Sequence, residues 1–332
     1  MNLAMWGRAL RGIPRLSKEE WRALDPIARW LVATRAAVLV MTFTSAAIAG
    51  LLAWRDGRFD AGLWTLMTLG LLLAHATNNL LNDATDYVKG VDRDNYFRAQ
   101  YGPQPLEHGL MSMRELLWYA AITGGSALLI GSYLVAVRGR LALGLLALGA
   151  FFVLCYTWPL KYIGLGEIAV IIVWGPLMIG GGYYVVTGRW DWNVVIAGLP
   201  HALGATAVIF GKHIDKLADD RARGIHTLPV LLGERNARGV AMAIAGLQYV
   251  TVGYLIVTGY FTPALLVVLL AMPTLLLLIG VLRRPRPTSM PADYRADVWP
   301  LWFSAFAFLH TRRFGLLFLL GLLLDLLWRR WL

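Results

Sequence analysis

His75 to Asn95, HATNNLLNDATDYVKGVDRDN, is the stretch on which the reading of this chain turns. It leaves an apolar run and becomes polar within two helical turns. If the helix continues to about Asp86, then Asn79, Asn82, Asp83 and Asp86 fall at i, i+3, i+4 and i+7 and share one face. His75 lies one turn deeper on that face, and Asp92 and Asp94 follow Gly90 in a loop. A second stretch, GKHIDKLADDRARGIHTLPV from Gly211 to Val230, has the same character. Lys212, Asp215 and Asp219 share a face there, with Asp220 beside them. The two stretches also share a local pattern. Asp86-Tyr-Val-Lys-Gly90-Val91 and Asp220-Arg-Ala-Arg-Gly224-Ile225 are both Asp-x-x-x-Gly followed by a β-branched residue. Each follows the second helix of a four-helix block, the pattern of an internal duplication.

The surroundings of both stretches are membrane helices. Of 332 residues, 58% are hydrophobic and 15% charged, with a mean hydropathy of +0.58, more apolar surface than a soluble domain of this length can hide. Nine apolar spans are expected, at 27–53, 61–82, 115–137, 141–160, 166–187, 194–211, 239–258, 263–282 and 312–328. Trp299 to His310 is too short to cross and reads as an interfacial segment or a bent lead-in. Residues 1–26 read as a basic amphipathic segment on the membrane face, without the apolar core and cleavage site of a signal peptide, and 27–332 as a single transmembrane domain.

The charge pattern orients the chain. With a cytoplasmic amino terminus, the segments 1–26, 83–114, 161–165, 212–238 and 283–311 lie inside and hold most of the Lys and Arg, as the positive-inside rule requires. A formal net charge of +11 distributed by membrane side speaks for lipid headgroups or an anionic substrate and against nucleic acid. Both acidic stretches then open on the cytoplasmic side of a cell-membrane protein. Cys155 is the only cysteine and reads as a small packing residue.

Charges cost about 2.5 to 3.5 kcal/mol each at the centre of a membrane helix, so carboxylates gathered at helix mouths carry information. Close carboxylates repel unless protons or cations neutralise them. Mg²⁺ prefers oxygen ligands and is typically held by one or two carboxylates together with substrate phosphates. Two acidic clusters facing one cavity could hold a diphosphate through metal bridges. For any single Asp, a solvated loop carboxylate remains the plainer account.

At these residues the chain resembles the UbiA superfamily of intramembrane prenyltransferases. That family shows Asn-x-x-x-Asp-x-x-x-Asp after its second helix and a second Asp-rich motif after its sixth. Asn82, Asp83 and Asp86, then Asp215, Asp219 and Asp220, take those places. Gly90 stands four residues after Asp86, and a carboxylate returns only at Asp92; this NDxxDxxxGxD form is similar to the branch containing the 1,4-dihydroxy-2-naphthoate polyprenyltransferases of menaquinone synthesis. YTWPLKYIGLGE, Tyr156 to Glu167, and GPLMIGGGYYVVTG after it are similar to further segments of that branch.

The resemblance covers roughly residues 25 to 330. It implies an all-α integral membrane protein of about nine transmembrane helices around a central cavity, Mg²⁺ as cofactor, and a prenyl diphosphate and an aromatic acceptor as partners. It further implies that Asp83, Asp86, Asp215 and Asp219 hold metal, and that Tyr156 and Lys161 join them in catalysis. Arg35, Asn79, Asn82, Lys212, Asp220, Glu167 and Arg98 would bind substrate, with His213 near them.

Several of these residues have ordinary readings as well. Tyr156 and Lys161 could be an interfacial Tyr and a snorkelling Lys. Arg35, inside the first span, could snorkel too. Glu167 could cap its helix, or orient or deprotonate the acceptor. Arg98, Tyr101 and His108 sit in a Pro/Gly-rich loop that could close as a lid or simply be rigid. A carbocation needs an apolar chamber with π faces, for which Trp158, Trp174, Tyr183 and Tyr184 are at suitable depths. Other acceptors within the superfamily (hydroxybenzoate, homogentisate, a chlorin, a lipid), terpene cyclisation, a secondary transporter with paired polar clusters, or a lipid-binding subunit are the alternatives.

Overall fold

A computed structural model describes every residue except Met1, Asp92, residues 94–101, Asp297 and Leu332, and the side chains of residues 330–331. The described residues form helices and turns without a strand. Three short helices, α1 (Leu3–Arg11), α2 (Lys18–Arg22) and α3 (Pro26–Ala33), precede the bundle. The long elements are α4 (Val40–Arg55), α5 (Ala61–Val88), α6 (Met113–Arg138), α7 (Arg140–Cys155), α8 (Gly166–Thr187) and α9 (Trp192–Asp215). Two short helices, α10 (Leu217–Ala222) and α11 (Leu228–Leu232), lead into α12 (Glu234–Val257), α13 (Pro263–Leu282) and α14 (Phe303–Trp331).

Polar side chains at the ends set several of these boundaries. Asp60 accepts from Leu63 N to start α5, and Ser112 and Glu115 form a reciprocal capping box at the start of α6. Gly188, at φ +73°, ends α8 in a conformation that suits glycine.

Among the described residues, seven segments are long and apolar enough to cross a membrane: Ala36–Arg55, α6, α8, α9, α12, α13 and α14. The nine expected spans map onto these plus α5, which is 28 residues long with a polar carboxyl end, and α7, which is shorter at 16 residues. Helix α9 is the centre of the bundle, with 78% of its apolar window buried against α8, α12 and α14. Helix α6 is peripheral, 17% buried, and shows Ile122 and Leu129 outward, a face that only lipid tails can cover.

Two expectations need correction. The span 27–53 is not one helix: Arg35 adopts φ +55°, ψ +51°, and a 3-10 turn at Ala36–Leu39 separates α3 from α4. A left-handed non-glycine residue is costly and persists because its side chain is fixed elsewhere. The Arg35 guanidinium donates to Asn79 O at 2.9 Å and lies 3.2 Å from Asp83 Oδ1, stapling the break to α5. The segment after Trp299 is not a separate lead-in either. From Phe303 onward it belongs to α14, a 29-residue helix whose first amides are held by a distant carboxylate described below.

Candidate active site

The carboxyl ends of α5 and α9, the turn between α7 and α8, and the break at Arg35 meet at one end of the bundle. They rim a cavity of about 1790 Å³ whose walls are mostly apolar. The first acidic stretch supplies Asn82 and Asp86 to the rim. Lys161, from a 3-10 turn at Leu160–Ile163, places Nζ 2.8 and 3.2 Å from the two Asp86 oxygens, both residues being buried. Gly166 permits this approach, since a Cβ there would stand 3.3 Å from Lys161 Cα. The Asn82 side chain donates to Thr157 Oγ1 at 3.0 Å, and its Oδ1 lies 3.4 Å from Arg35 Nη2. Asn79 also lines the cavity but spends its amide on Thr34 O at 2.8 Å. Asp83 turns towards Arg35 and is absent from the cavity wall. Tyr156, just past α7, lines the cavity; burial foremost, then the charges of Glu167 and Asp86, push its hydroxyl well above the ordinary phenol range, so it stays protonated.

The second stretch is built by the same turn as the first. Val91 N donates to Asp86 O at 2.9 Å around Gly90 at φ +67°, and Ile225 N donates to Asp220 O at 2.9 Å around Gly224 at φ +66°. Val91 and Ile225 are both buried, which is why each glycine is followed by a β-branched residue. Asp86 and Asp220 therefore occupy matching places, and both line the cavity. Lys212 and Lys216 line it as well, with Lys216 Nζ 3.3 Å from Asp220 Oδ1.

The other two acids of this stretch depart from the expected roles. Asp215 is buried and faces away from the cavity. Its carboxylate accepts from the backbone N–H groups of Trp302, Phe303 and Ser304, each at 3.0 Å, and so caps α14. Gly211 makes that approach possible, because a Cβ there would come within 2.7 Å of Ser304 N. Asp219 sits half-buried on α10, outside the cavity wall. Asp83 and Asp215 lie at the same end of the bundle, but each has a protein partner in place of a cavity face.

Glu167 is buried behind the rim, with Oε1 2.6 Å from His213 Nδ1 and Oε2 accepting from Leu228 N at 3.3 Å. It thus positions His213, which lines the cavity. Of the aromatic candidates only Trp174 lines the cavity, edge-on to His75 at 5.4 Å and to His201 at 6.1 Å. Trp158 is exposed beneath Lys89, Tyr183 bonds Asp56 at the opposite end of the bundle, and Tyr184 bonds Arg138 O. Arg98 and Tyr101, like Asp92 and Asp94, lie outside the described residues. His108 closes its own loop by accepting from Gln104 N at 3.3 Å.

The amino-terminal segment packs at the cavity mouth. Asp25 caps α3 and also accepts from Asn2 N and Trp6 Nε1, which folds α1 back over the mouth. Arg8, Arg11 and Arg15 then border the cavity. Leu117 and Leu128 of α6 and Leu154 of α7 line the cavity and are exposed, so its wall at these helices is apolar.

A family model described as the UbiA prenyltransferase family matches residues 40–298. This chain belongs to the UbiA prenyltransferase family. It is accordingly an enzyme, a multi-pass membrane prenyltransferase, and the transporter and lipid-binding alternatives lose to that assignment. It is 33% identical to the 1,4-dihydroxy-2-naphthoate octaprenyltransferase of Escherichia coli over 63% of this chain and 70% of that protein. It is 26% identical to the Bacillus subtilis protein of the same name, over 72% of this chain and 77% of that one. Among solved structures, an apo UbiA homolog from Aeropyrum pernix superposes with a TM-score of 0.62 at 18% identity, over 86% of this chain and 98% of that one. A UbiA homolog from Archaeoglobus fulgidus bound to DMAPP and Mg²⁺ gives 0.56 at 14% identity, over 87% and 98%. These likenesses establish a UbiA fold.

Within this UbiA chain, Lys216 is the rim residue that sequence reasoning missed. The signal was present: aligning the two Asp-x-x-x-Gly turns puts Lys216 at the register of Asn82, four residues before the rim carboxylate.

Proposed function

We propose that this enzyme transfers a polyprenyl group from its diphosphate to 1,4-dihydroxy-2-naphthoate, with Mg²⁺, at a cytoplasmic mouth. The observation that carries the reading is the Asp86–Lys161 pair beside Asn82, at the polar rim of a large, mostly apolar chamber. The naming of the Escherichia coli and Bacillus subtilis relatives supports the acceptor, and the DMAPP and Mg²⁺ of the Archaeoglobus fulgidus homolog support the donor and the metal. The inward-charged loops support the orientation.

The donor set fits a metal on one side. Asp86 and Asn82 present oxygens to the cavity and would hold Mg²⁺, which neutralises charge gathering on a leaving diphosphate. Lys161, Arg35 and the Tyr156 hydroxyl offer positive charge and a hydrogen bond to the same phosphate oxygens. The allylic C–O bond breaks, the aromatic carbon of the acceptor attacks the prenyl cation, and CO₂ or a proton leaves the ring. Trp174 offers a π face to the cation in the dry part of the chamber, and its edge contacts with His75 and His201 fix the ring. Protein in lipid with Mg²⁺ should release pyrophosphate and form a prenylated naphthoquinol precursor from a prenyl diphosphate and dihydroxynaphthoate, read by mass spectrometry. Product with hydroxybenzoate or homogentisate and none with the naphthoate would overturn the acceptor.

The chamber also sets chain length. Gly149 of α7 lines it and a Cβ there would meet nothing within 4 Å, so Gly149→Leu folds but narrows the passage. Turnover of a long polyprenyl diphosphate should fall about tenfold or more, as for a blocked apolar subsite, while a ten-carbon donor keeps near-normal turnover. Equal loss on both donors would show that Gly149 does not border the prenyl path.

A further inference from the structure

We infer that the two halves of this site hold diphosphate in different ways: metal is confined to the Asn82–Asp86 half, and in the other half Lys216, with Lys212, binds phosphate oxygens directly. The inference rests on the prenyl diphosphate reading and adds to it a division of labour. The matched turns make Asp86 and Asp220 counterparts, and by that register Lys216 stands where the first half has Asn82. An oxygen donor in one half is thus replaced by an ammonium in the other. Lys216 Nζ lies 3.3 Å from Asp220 Oδ1, and both side chains are buried at the rim.

Chemistry then decides what the second half accepts. Among the described residues, no group of three His, Cys, Asp or Glu side chains gathers as a metal cage in either half, and each rim carboxylate is paired with a lysine, Asp86 with Lys161 Nζ at 2.8 Å and Asp220 with Lys216 Nζ at 3.3 Å. The halves differ in the residue four before that carboxylate, an amide oxygen at Asn82 against an ammonium at Lys216. Asp220 is the one acid of Asp215, Asp219 and Asp220 that lines the cavity, and its counter-ion is already supplied by the chain. A divalent ion entering there would meet Lys216 beside Asp220 and Lys212 one turn away; Asp293, from the segment before α14, also lines the cavity, but this half has no amide oxygen in the place of Asn82 to help complete a ligand set. A diphosphate meets the opposite field. Two ammonium groups on one face of α9 and its continuation present donors and positive charge to its oxygens without any metal.

The test uses the detergent-purified full chain, a farnesyl thiolodiphosphate whose C–S bond resists ionisation, and Mn²⁺ in place of Mg²⁺. Electron paramagnetic resonance should count one Mn²⁺ per chain with the analogue present. In EDTA the analogue should still bind wild type, and Lys216→Ala should weaken that metal-free binding by about tenfold or more, the worth of one charge-assisted contact. Lys216→Arg should keep it, Lys216→Met serves if the Ala variant fails to fold, and Lys216→Asp should admit a second Mn²⁺. Two Mn²⁺ in wild type, loss of all wild-type binding in EDTA, or a charge-free Lys216 variant binding like wild type would overturn the inference and leave the prenyl diphosphate reading standing. An analogue that binds under neither condition would overturn that reading, and the inference with it.

Discussion

Asp86→Ala should lower pyrophosphate release by about 10² to 10³-fold in kcat, the scale of losing one preorganised electrostatic contact to the transition state. Asp86 serves two partners at once. It holds Lys161 Nζ at 2.8 Å and presents oxygen to the cavity where the proposed metal would sit. Removing it strands a buried ammonium and takes away the one carboxylate that this half, among the described residues, presents to the cavity. Asp86→Asn separates the two effects, because it keeps the shape and an oxygen but not the charge. If the carboxylate matters for charge, Asn is nearly as inactive as Ala while prenyl diphosphate still binds within about tenfold of wild type. Steady-state kinetics with a coupled pyrophosphate assay, alongside direct binding, checks this; an Asn variant with wild-type kcat would remove Asp86 from the chemistry.

A quite different result is expected at Asp215. Although it sits in an acidic motif, Asp215→Ala should act first on stability, by about 3 to 5 kcal/mol, because three buried backbone donors lose their acceptor together. The amides of Trp302, Phe303 and Ser304 have no intrahelical partner at the start of α14, and Phe303 and Ser304 are buried there. Asp215→Asn should cost less, since its one carbonyl oxygen still accepts while its NH₂ faces a donor. Thermal unfolding in detergent, followed by tryptophan fluorescence, should order the midpoints wild type, Asn, Ala. If Asp215→Ala instead unfolds normally and loses only turnover, the capping role is wrong and a place for Asp215 in the chemistry returns.

That contrast shows what the sequence could and could not say about this protein. Apolar runs pointed to the seven segments that are long and apolar enough to cross, because lipid imposes length and hydrophobicity on a crossing helix. The break at Arg35 left no trace in the pattern, since an arginine in left-handed backbone is held there by Asn79 and Asp83, 44 and 48 residues along the chain. The true start of α14 was hidden for a similar reason: its cap comes from Asp215, 88 residues before Phe303. Periodicity told which acids share a helix face but not which of two faces meets the cavity. Asp86 and Asp220 line the cavity, whereas Asp83, Asp215 and Asp219, grouped with them by spacing and by the resemblance to the family motifs, do not. Reading for acids also hid Lys216, whose sign was unexpected although its register could be counted.

The exposed apolar wall at α6 and α7 is where the proposed long-chain donor would enter from lipid, and such entry changes what substrate concentration means. A long-chain donor entering that way would reach the chamber by diffusion in two dimensions, so turnover should follow its mole fraction among the surrounding lipids and be insensitive to bulk volume. Diluting the vesicles with buffer would leave the rate per protein unchanged, and diluting the donor with inert phospholipid would slow it. In the proposed reaction the greasy product would leave by the same side without entering water.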